Sequence, residues 1–126
     1  IVVLGSTGVV SDAVAAALQG YTAGTVTRLA GADRYSTAAA ISAASFAQYV
    51  PVVYIATGTN FPDALAGAPV AGAVGGPLLL VTRDTIPAAT AAELTRLAPA
   101  SIVVLGSTGV VSDAVAAALY GYIAAP

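Results

Sequence analysis

The sequence lacks cysteine, histidine, methionine, tryptophan and lysine altogether, although it is 126 residues long. Without Cys and His it has no ligand set for a structural zinc ion and no Cys–His or Ser–His–Asp nucleophile. Without Lys it has neither a Walker A loop nor the amine of Schiff-base chemistry. Carboxylates, hydroxyls, arginines and backbone amides remain, so we expect no metal, no cofactor and no enzymatic activity.

Charge is also scarce, because only 8% of the residues are charged and four arginines face six acidic residues. No basic patch can neutralise a run of phosphates, so nucleic acid is not an expected partner. The best candidate for a membrane span is the uncharged stretch 64–82, but its prolines and glycines would break a spanning helix. We interpret it instead as a helix, a Gly-Gly-Pro turn and a buried strand.

The two ends of the sequence repeat each other. Residues 1–21 and 102–122 differ only at Gln19 and Tyr120, and they are offset by 101 positions. The chain is therefore interpreted as slightly more than one period of a tandem array, with residues 1–21 as the tail of a preceding repeat. A designed or circularly permuted single unit would give the same pattern. Both copies should fold as a strand and then a helix, and the first should pair with this sheet or with a neighbouring chain's sheet.

Short apolar runs alternate with helical stretches between and within these copies. The runs do not alternate with polar residues, which is typical of strands buried on both faces of a parallel sheet. The predicted strands are Ile1–Leu4, Thr25–Leu29, Val52–Ile55, Leu78–Val81 and Ile102–Leu105, and the predicted helices are 11–19, 34–49, 62–74, 87–97 and 112–121. This order predicts an α/β fold with three layers, in which helices flank a mostly parallel sheet of about five strands.

Several side chains suit the helix ends. Ser11 and Ser112 can cap the duplicated helices, and Asp33 can cap the helix that begins at Arg34. In the fourth helix, Glu93 and Arg96 are spaced i, i+3, and we expect an ordinary exposed ion pair there.

Four separated blocks of the sequence carry a family resemblance. The opening R-x-x-G-x-D-R-Y-x-T-A, the centre T-G-x-N-F-P-D-A-L, the strand P-L-L-L and the closing V-x-x-L-G-x-x-x-x-V-S, with Ile102 in place of its first valine, occur in this order between Arg28 and about Leu119. In these blocks the chain resembles the cell-wall-binding repeat 2 family of Gram-positive surface proteins. One departure is Gly106-Ser107, where that family often has two adjacent glycines.

The resemblance implies a fold and a role. Such repeats resemble a Rossmann-like or Toprim-like layer, occur in tandem, commonly three together, and associate in threes beside a variable effector domain. They hold a secreted protein to the cell wall non-covalently by binding an anionic secondary wall polymer. By this resemblance residues 28–122 form one complete repeat, located at the cell wall or cell surface.

Candidate ligand-binding residues lie where the predicted strands end, because ligands of open parallel sheets bind beyond the carboxyl ends of the strands. Arg28, Arg34 and Arg83 lie in or near those loops, and arginine can hold phosphate or carboxylate through two parallel hydrogen bonds. The structural alternatives are that Arg34 pairs with Asp63 and locks two loops, and that Arg83 pairs with the adjacent Asp84.

The segment Asn60-Phe61 could contact a sugar through its amide and its ring, or it could be a helix start with the ring packed inward. Asp33, Asp63 and Pro77 are assigned structural roles, Pro77 because a proline can begin a strand where no ladder donor is needed. The G-x-x-G spacing at 5–8 and 106–109 favours a tight turn over a nucleotide loop.

Three functions follow, in decreasing order of support. The first is non-catalytic anchoring to an anionic wall polymer or glycan. The alternative is a structural unit of a surface stalk or fibre whose main partner is the neighbouring repeat or a second copy, since large uncharged patches commonly mark interfaces. The third, an enzyme or nucleotide binder on the same fold, is disfavoured by the missing residue types.

Overall fold

Five strands alternate with five helices in this computed structural model, which describes residues 1–125. The elements are β1 (Val2–Leu4), α1 (Asp12–Leu18), β2 (Thr27–Leu29), α2 (Arg34–Ser45), β3 (Val53–Thr57), α3 (Pro62–Ala73), β4 (Leu78–Val81), α4 (Ala88–Leu97), β5 (Ile102–Val104) and α5 (Asp113–Leu119). Single 3₁₀ turns follow α1 and α5, at Gln19–Tyr21 and Tyr120–Tyr122. No helix in residues 1–125 is long and apolar enough to cross a bilayer.

All pairing between strands is parallel, which confirms the predicted α/β fold. Within residues 1–125 the strands lie in two sheets, however, because β4, β3 and β5 form one in that order and β1 and β2 form the other. The prediction of one sheet was wrong in this respect. β2 contains Thr27 and Arg28 beside a single leucine, so it lacks the apolar run that a strand buried on both faces requires.

The helices cover both faces of the three-stranded sheet. On one face Val53 and Ile55 belong to a buried cluster with side chains of α4 and α5. Tyr54, which points the opposite way along the same strand, lines a depression with residues of α3. The three-layer arrangement therefore matches the prediction. The main buried cluster consists of Val50, Val53, Ile55, Leu79, Val81, Leu94, Leu97, Val111, Val115 and Leu119.

The predicted caps are confirmed. The hydroxyl of Ser11 accepts a hydrogen bond from the backbone N–H of Val14, and that of Ser112 accepts one from Val115. Asp33 caps α2. That helix ends at Ser45 rather than at residue 49, because Phe46 turns to an extended conformation and packs against the core.

The expectation that Glu93 and Arg96 form an exposed pair was wrong. Glu93 is only 5% exposed, and its Oε1 lies 2.6 Å from Nη2 of Arg96 and 2.5 Å from the hydroxyl of Ser42 on α2. Arg96 also donates to the carbonyl of Phe46 at 2.9 Å. The hydrogen bonds that Arg96 donates to the Glu93 carboxylate raise the pKa of the Arg96 guanidinium above its ordinary value. The pair therefore joins α2 to α4, since a buried carboxylate needs such partners.

Both copies of the duplicated segment fold as a strand and then a helix, as predicted. The first copy pairs through β1 with β2 of the same chain. The second pairs through β5 with β3 and contributes Val111, Val115 and Leu119 to the core. One sequence thus occupies two environments.

Candidate binding cleft

An open cleft lies where β1, β2, β3 and β4 end. It consists of two adjoining depressions that share Arg34 and Leu80. One depression is lined by the loop after β1 and the loop between β2 and α2, and the other by the loop between β3 and α3. The lining residues besides the shared pair include Gly5, Ser6, Val9, Gly31, Ala32, Asp33, Thr57, Gly58, Thr59, Asn60 and Phe61.

The first turn of α2 is held in place by its own side chains. Asp33 accepts the backbone N–H of Ser36 at 2.7 Å, and the Ser36 hydroxyl accepts the N–H of Asp33 at 3.0 Å. The backbone N–H and the hydroxyl of Ser36 both donate to the Asp33 carboxylate, and these two bonds lower the pKa of that carboxyl below its ordinary value. Thr37 accepts the N–H of Gly31 at 3.0 Å, and a side chain at Gly31 would collide with Ser36. The block from Gly31 to Thr37 is therefore a rigid start for the helix.

Arg34 extends from this helix start to the next loop. Its Nη1 donates to the carbonyl of Gly58 at 2.5 Å, and the side chain is exposed at the boundary of the two depressions. Within residues 1–125, no carboxylate lies within ion-pair distance of Arg34. The predicted alternative of a lock between Arg34 and Asp63 is therefore not formed, because the partner is a backbone carbonyl.

The loop after β3 is fixed by close contacts. A Cβ at Gly58 would lie 2.5 Å from Cε1 of Tyr35, so the tyrosine ring packs directly on the glycine backbone. The hydroxyls of Thr57 and Thr59 lie 2.8 Å apart and share a hydrogen bond. This packing holds the loop that carries the next two polar and aromatic groups of the cleft.

Asn60 and Phe61 form the outer wall of the cleft. The Asn60 Oδ1 accepts the N–H of Phe61 at 3.0 Å, and α3 begins directly afterwards at Pro62. Phe61 is 73% exposed, so the alternative in which its ring packs inward was wrong. An exposed aromatic face and an arginine therefore border the same depression.

The other two candidate arginines lie elsewhere. Arg28 donates to the carbonyl of Gly5 at 2.7 Å and to Asp12 at 3.4 Å, so it joins β2 to the first copy of the repeat. Arg83 donates to the carbonyl of Gly109 at 3.2 Å and to Asp84 at 3.1 Å. The structure therefore does not bring the three arginines together, although the predicted Arg83–Asp84 contact is present.

The residues assigned structural roles occupy separate positions. The Asp63 carboxylate lies against Gly106, where a Cβ would be 2.7 Å from its Oδ2 and where φ is +96°. Pro77 is buried before β4, and its carbonyl accepts the N–H of Tyr54 at 2.9 Å. Neither residue lines the cleft.

Sequence reasoning missed Gly58 and the Thr57–Thr59 pair as parts of the cleft. The T-G-x-N block contained the signal, because a glycine directly after a buried strand indicates a close approach by another group. That the group is Tyr35, from a different block, required the tertiary structure. In residues 1–125, no cluster of three or more carboxylate side chains is arranged to hold a metal ion.

Comparison with known proteins gives a family, and solved structures that this chain resembles include two from one organism. The sequence matches the family Cell wall binding domain 2 (CWB2) over residues 28–116. Cwp6 from Clostridium difficile is similar at 34% identity with a TM-score of 0.70, over 75% of this chain and 15% of that one. Cwp8 from the same organism has a TM-score of 0.82 over 98% of this chain and 20% of that one, and at 20% identity it shows the fold alone. No curated protein matches the sequence.

The chain thus spans a fifth or less of the length of either solved relative. The family match begins at Arg28, the first residue of the opening block, and extends into α5. It includes the helix start that carries Arg34 and the loop that carries Phe61. The resemblance drawn from the four blocks is confirmed, and the chain belongs to the Cell wall binding domain 2 family.

Proposed function

We propose that this chain is a non-catalytic unit that anchors a secreted protein to the cell wall by binding an anionic wall polymer or glycan. Membership in the CWB2 family supports a cell-wall-binding role. The organism of the solved relatives supports a location on a Gram-positive cell surface. On this proposal the unit needs no cofactor, because retention depends on contacts alone.

The observation that carries the proposal is the depression that Arg34, Asn60 and Phe61 line together. A guanidinium group holds a phosphate or carboxylate through charge-assisted hydrogen bonds. An exposed aromatic ring beside it offers an apolar face to a sugar, and the Asn60 amide can bond to hydroxyls. A charged group and a sugar face are the two parts that an anionic glycan presents.

The positive charge of this depression comes from Arg34. The N-terminus of α2 is not free for an anion, since the Asp33 carboxylate already accepts the N–H of Ser36. The whole chain has a net charge of −2, so long-range attraction to a polyanion is not expected. Attraction must therefore be local, and it should weaken as salt is added.

We also propose that residues 28–122 form one complete repeat and that residues 1–21 are the tail of a preceding one. The family match over residues 28–116 supports the first assignment. A structural array unit whose main partner is the next repeat remains the second candidate function. It is favoured by Val14, which is 51% exposed although its counterpart Val115 is buried.

Substitution of the cleft residues tests the wall-binding proposal. Arg34→Gln should reduce retention on purified Gram-positive walls about tenfold, since a charge-assisted hydrogen bond contributes roughly 1.5–3 kcal/mol. Phe61→Ala should also reduce retention, because it removes the apolar face offered to a sugar. Retention is measured by co-sedimentation over a range of protein concentrations, at low and at high salt. Phe61→Ala should leave the melting temperature nearly unchanged, because the ring is exposed.

Arg83→Gln is the matched control, because Arg83 is also exposed and lies outside the cleft. Its retention should equal that of the unaltered chain. If Arg83→Gln loses retention while Arg34→Gln keeps it, the loop after β4 is the contact site and the cleft is not.

A further inference from the structure

The duplicated segment shows two different partners for the same strand sequence. β1 pairs with β2 and lies at the end of its sheet, whereas β5 pairs with β3 and lies at the end of the other sheet. Each copy therefore leaves one strand edge unpaired within residues 1–125. β1 has a partner of the β2 type but none of the β3 type, whereas β5 has a partner of the β3 type but none of the β2 type.

The backbone hydrogen bonds place these partners on opposite edges of the strand. β5 bonds to β3 through the carbonyl of Ser101 and the N–H of Leu105. β1 bonds to β2 through the carbonyl of Ile1 and the N–H of Gly5, whose counterparts in the second copy are Ile102 and Gly106. Successive residues of a strand direct their backbone groups to alternate edges. One strand of this sequence can therefore hold a β3-type and a β2-type partner at the same time.

The side chains beside the free edge of β5 are those that β2 covers in the first copy. Val3, beside β2, is 5% exposed, whereas its counterpart Val104 is only half-buried. Val104 lines an open groove with Ile102, Leu119 and Ile123. Most side chains of the groove are apolar, and two of them, Ile102 and Val104, belong to the strand with the unpaired edge, as expected for a surface that a further strand would cover.

The polar anchor of the β1–β2 contact is also duplicated. Arg28 on β2 donates to the carbonyl of Gly5 and to Asp12. The counterparts of those acceptors, Gly106 and Asp113, are both exposed. An arginine from a second β2 would find the same two acceptors at β5.

We propose that the free edge of β5 is the docking site for β2 of a second copy of this repeat, placed next in the array. By the observed register, Val103, Val104 and Leu105 would face Thr27, Arg28 and Leu29 of that copy. Residues 102–122 are then shared by two repeats. One edge of β5, together with α5, completes the core of this repeat. The other edge of β5 pairs with the first strand of the next repeat. This junction does not depend on wall binding.

The apolar side chains in and just before α1 are the other half of the same junction, since Val14 is 51% exposed and Val10 and Leu18 are only half-buried. Val10, Val14 and Leu18 correspond to Val111, Val115 and Leu119, which are buried against β3, β4 and α4. α1 contributes no residue to the buried core. A preceding repeat would supply the same surface to α1 that this repeat supplies to α5.

Amide hydrogen exchange in a lengthened chain tests the junction. The lengthened chain consists of residues 1–122 followed by a second copy of residues 22–126, so that residues 102–122 also serve as the leading segment of the second unit. The N–H of Gly106 should exchange at least tenfold more slowly there than in the original chain, because it should donate to Leu29 of the second copy as Gly5 donates to Leu29 now. The N–H of Leu105, which donates to Ile55, reports that the first unit is folded in both chains.

The same chain with Asp113 and the second-copy Arg28 changed to alanine should lose part of the added protection at Gly106. If Gly106 exchanges at the same rate in the original and lengthened chains while Leu105 stays protected, the edge does not bind β2 and the proposal is wrong. If added protection appears but is insensitive to these changes, another segment covers the edge, and the proposal is also wrong.

Discussion

At the scale of single residues, the polar groups that stabilise the fold are those that are buried. The spacing of Glu93 and Arg96 predicted an i, i+3 contact, and the contact exists. The sequence could not show that Ser42 and the carbonyl of Phe46 meet the same two side chains, because both come from α2 and its end, about fifty positions away. A surface ion pair would contribute little, whereas removing one partner of a buried pair leaves an uncompensated charge.

Arg96→Ala should therefore lower the free energy of unfolding by roughly 2–3 kcal/mol, below the usual range for a fully buried pair because the guanidinium is partly exposed. Urea denaturation followed by circular dichroism measures the change. Arg83→Ala removes an exposed arginine that also touches a neighbouring acid, and it should cost less than about 1 kcal/mol. Equal losses in the two variants would show that the Glu93–Arg96 pair behaves as a surface pair.

At the scale of elements, strand and helix identities could be predicted because apolar runs and caps are local signals. All five strands and all five helices were expected near their observed positions. The end of α2 was missed, since Phe46 leaves the helix to reach a core that is formed by distant residues. The division into two sheets was not predicted. The segment Thr25–Leu29 was long enough to be predicted as a strand of the main sheet, although Thr27 and Arg28 are polar.

The two copies of the helix provide a matched test of what burial contributes. Val115→Ala should destabilise the chain by roughly 2 kcal/mol, because it removes two buried methyl groups from the core. Val14→Ala changes the same residue in the same local sequence, but at an exposed position, and should cost less than about 0.5 kcal/mol. Thermal and urea unfolding of both variants measure the difference. A similar loss in both would mean that α1 is buried in solution.

At the scale of the whole molecule, the motif blocks predicted the position of the cleft more accurately than the identity of the residues that line it. The opening and centre blocks meet at Gly58, where Arg34 and Tyr35 converge from one side. Their meeting follows from parallel strands that end at one edge, a rule that can be applied to a sequence. The distribution of the arginines could not be predicted in this way, because Arg28 and Arg83 are each engaged by a copy of the duplicated loop.

The proposed binding of this unit to the anionic polymer of the wall is tested most directly by a binding isotherm on walls before and after that polymer is extracted. The chain should bind intact walls saturably, less tightly as salt is raised, and should lose most of its binding after extraction. Adding the extracted polymer back as a competitor should release the chain from intact walls. Undiminished binding to extracted walls, with no competition by the polymer, would contradict the account.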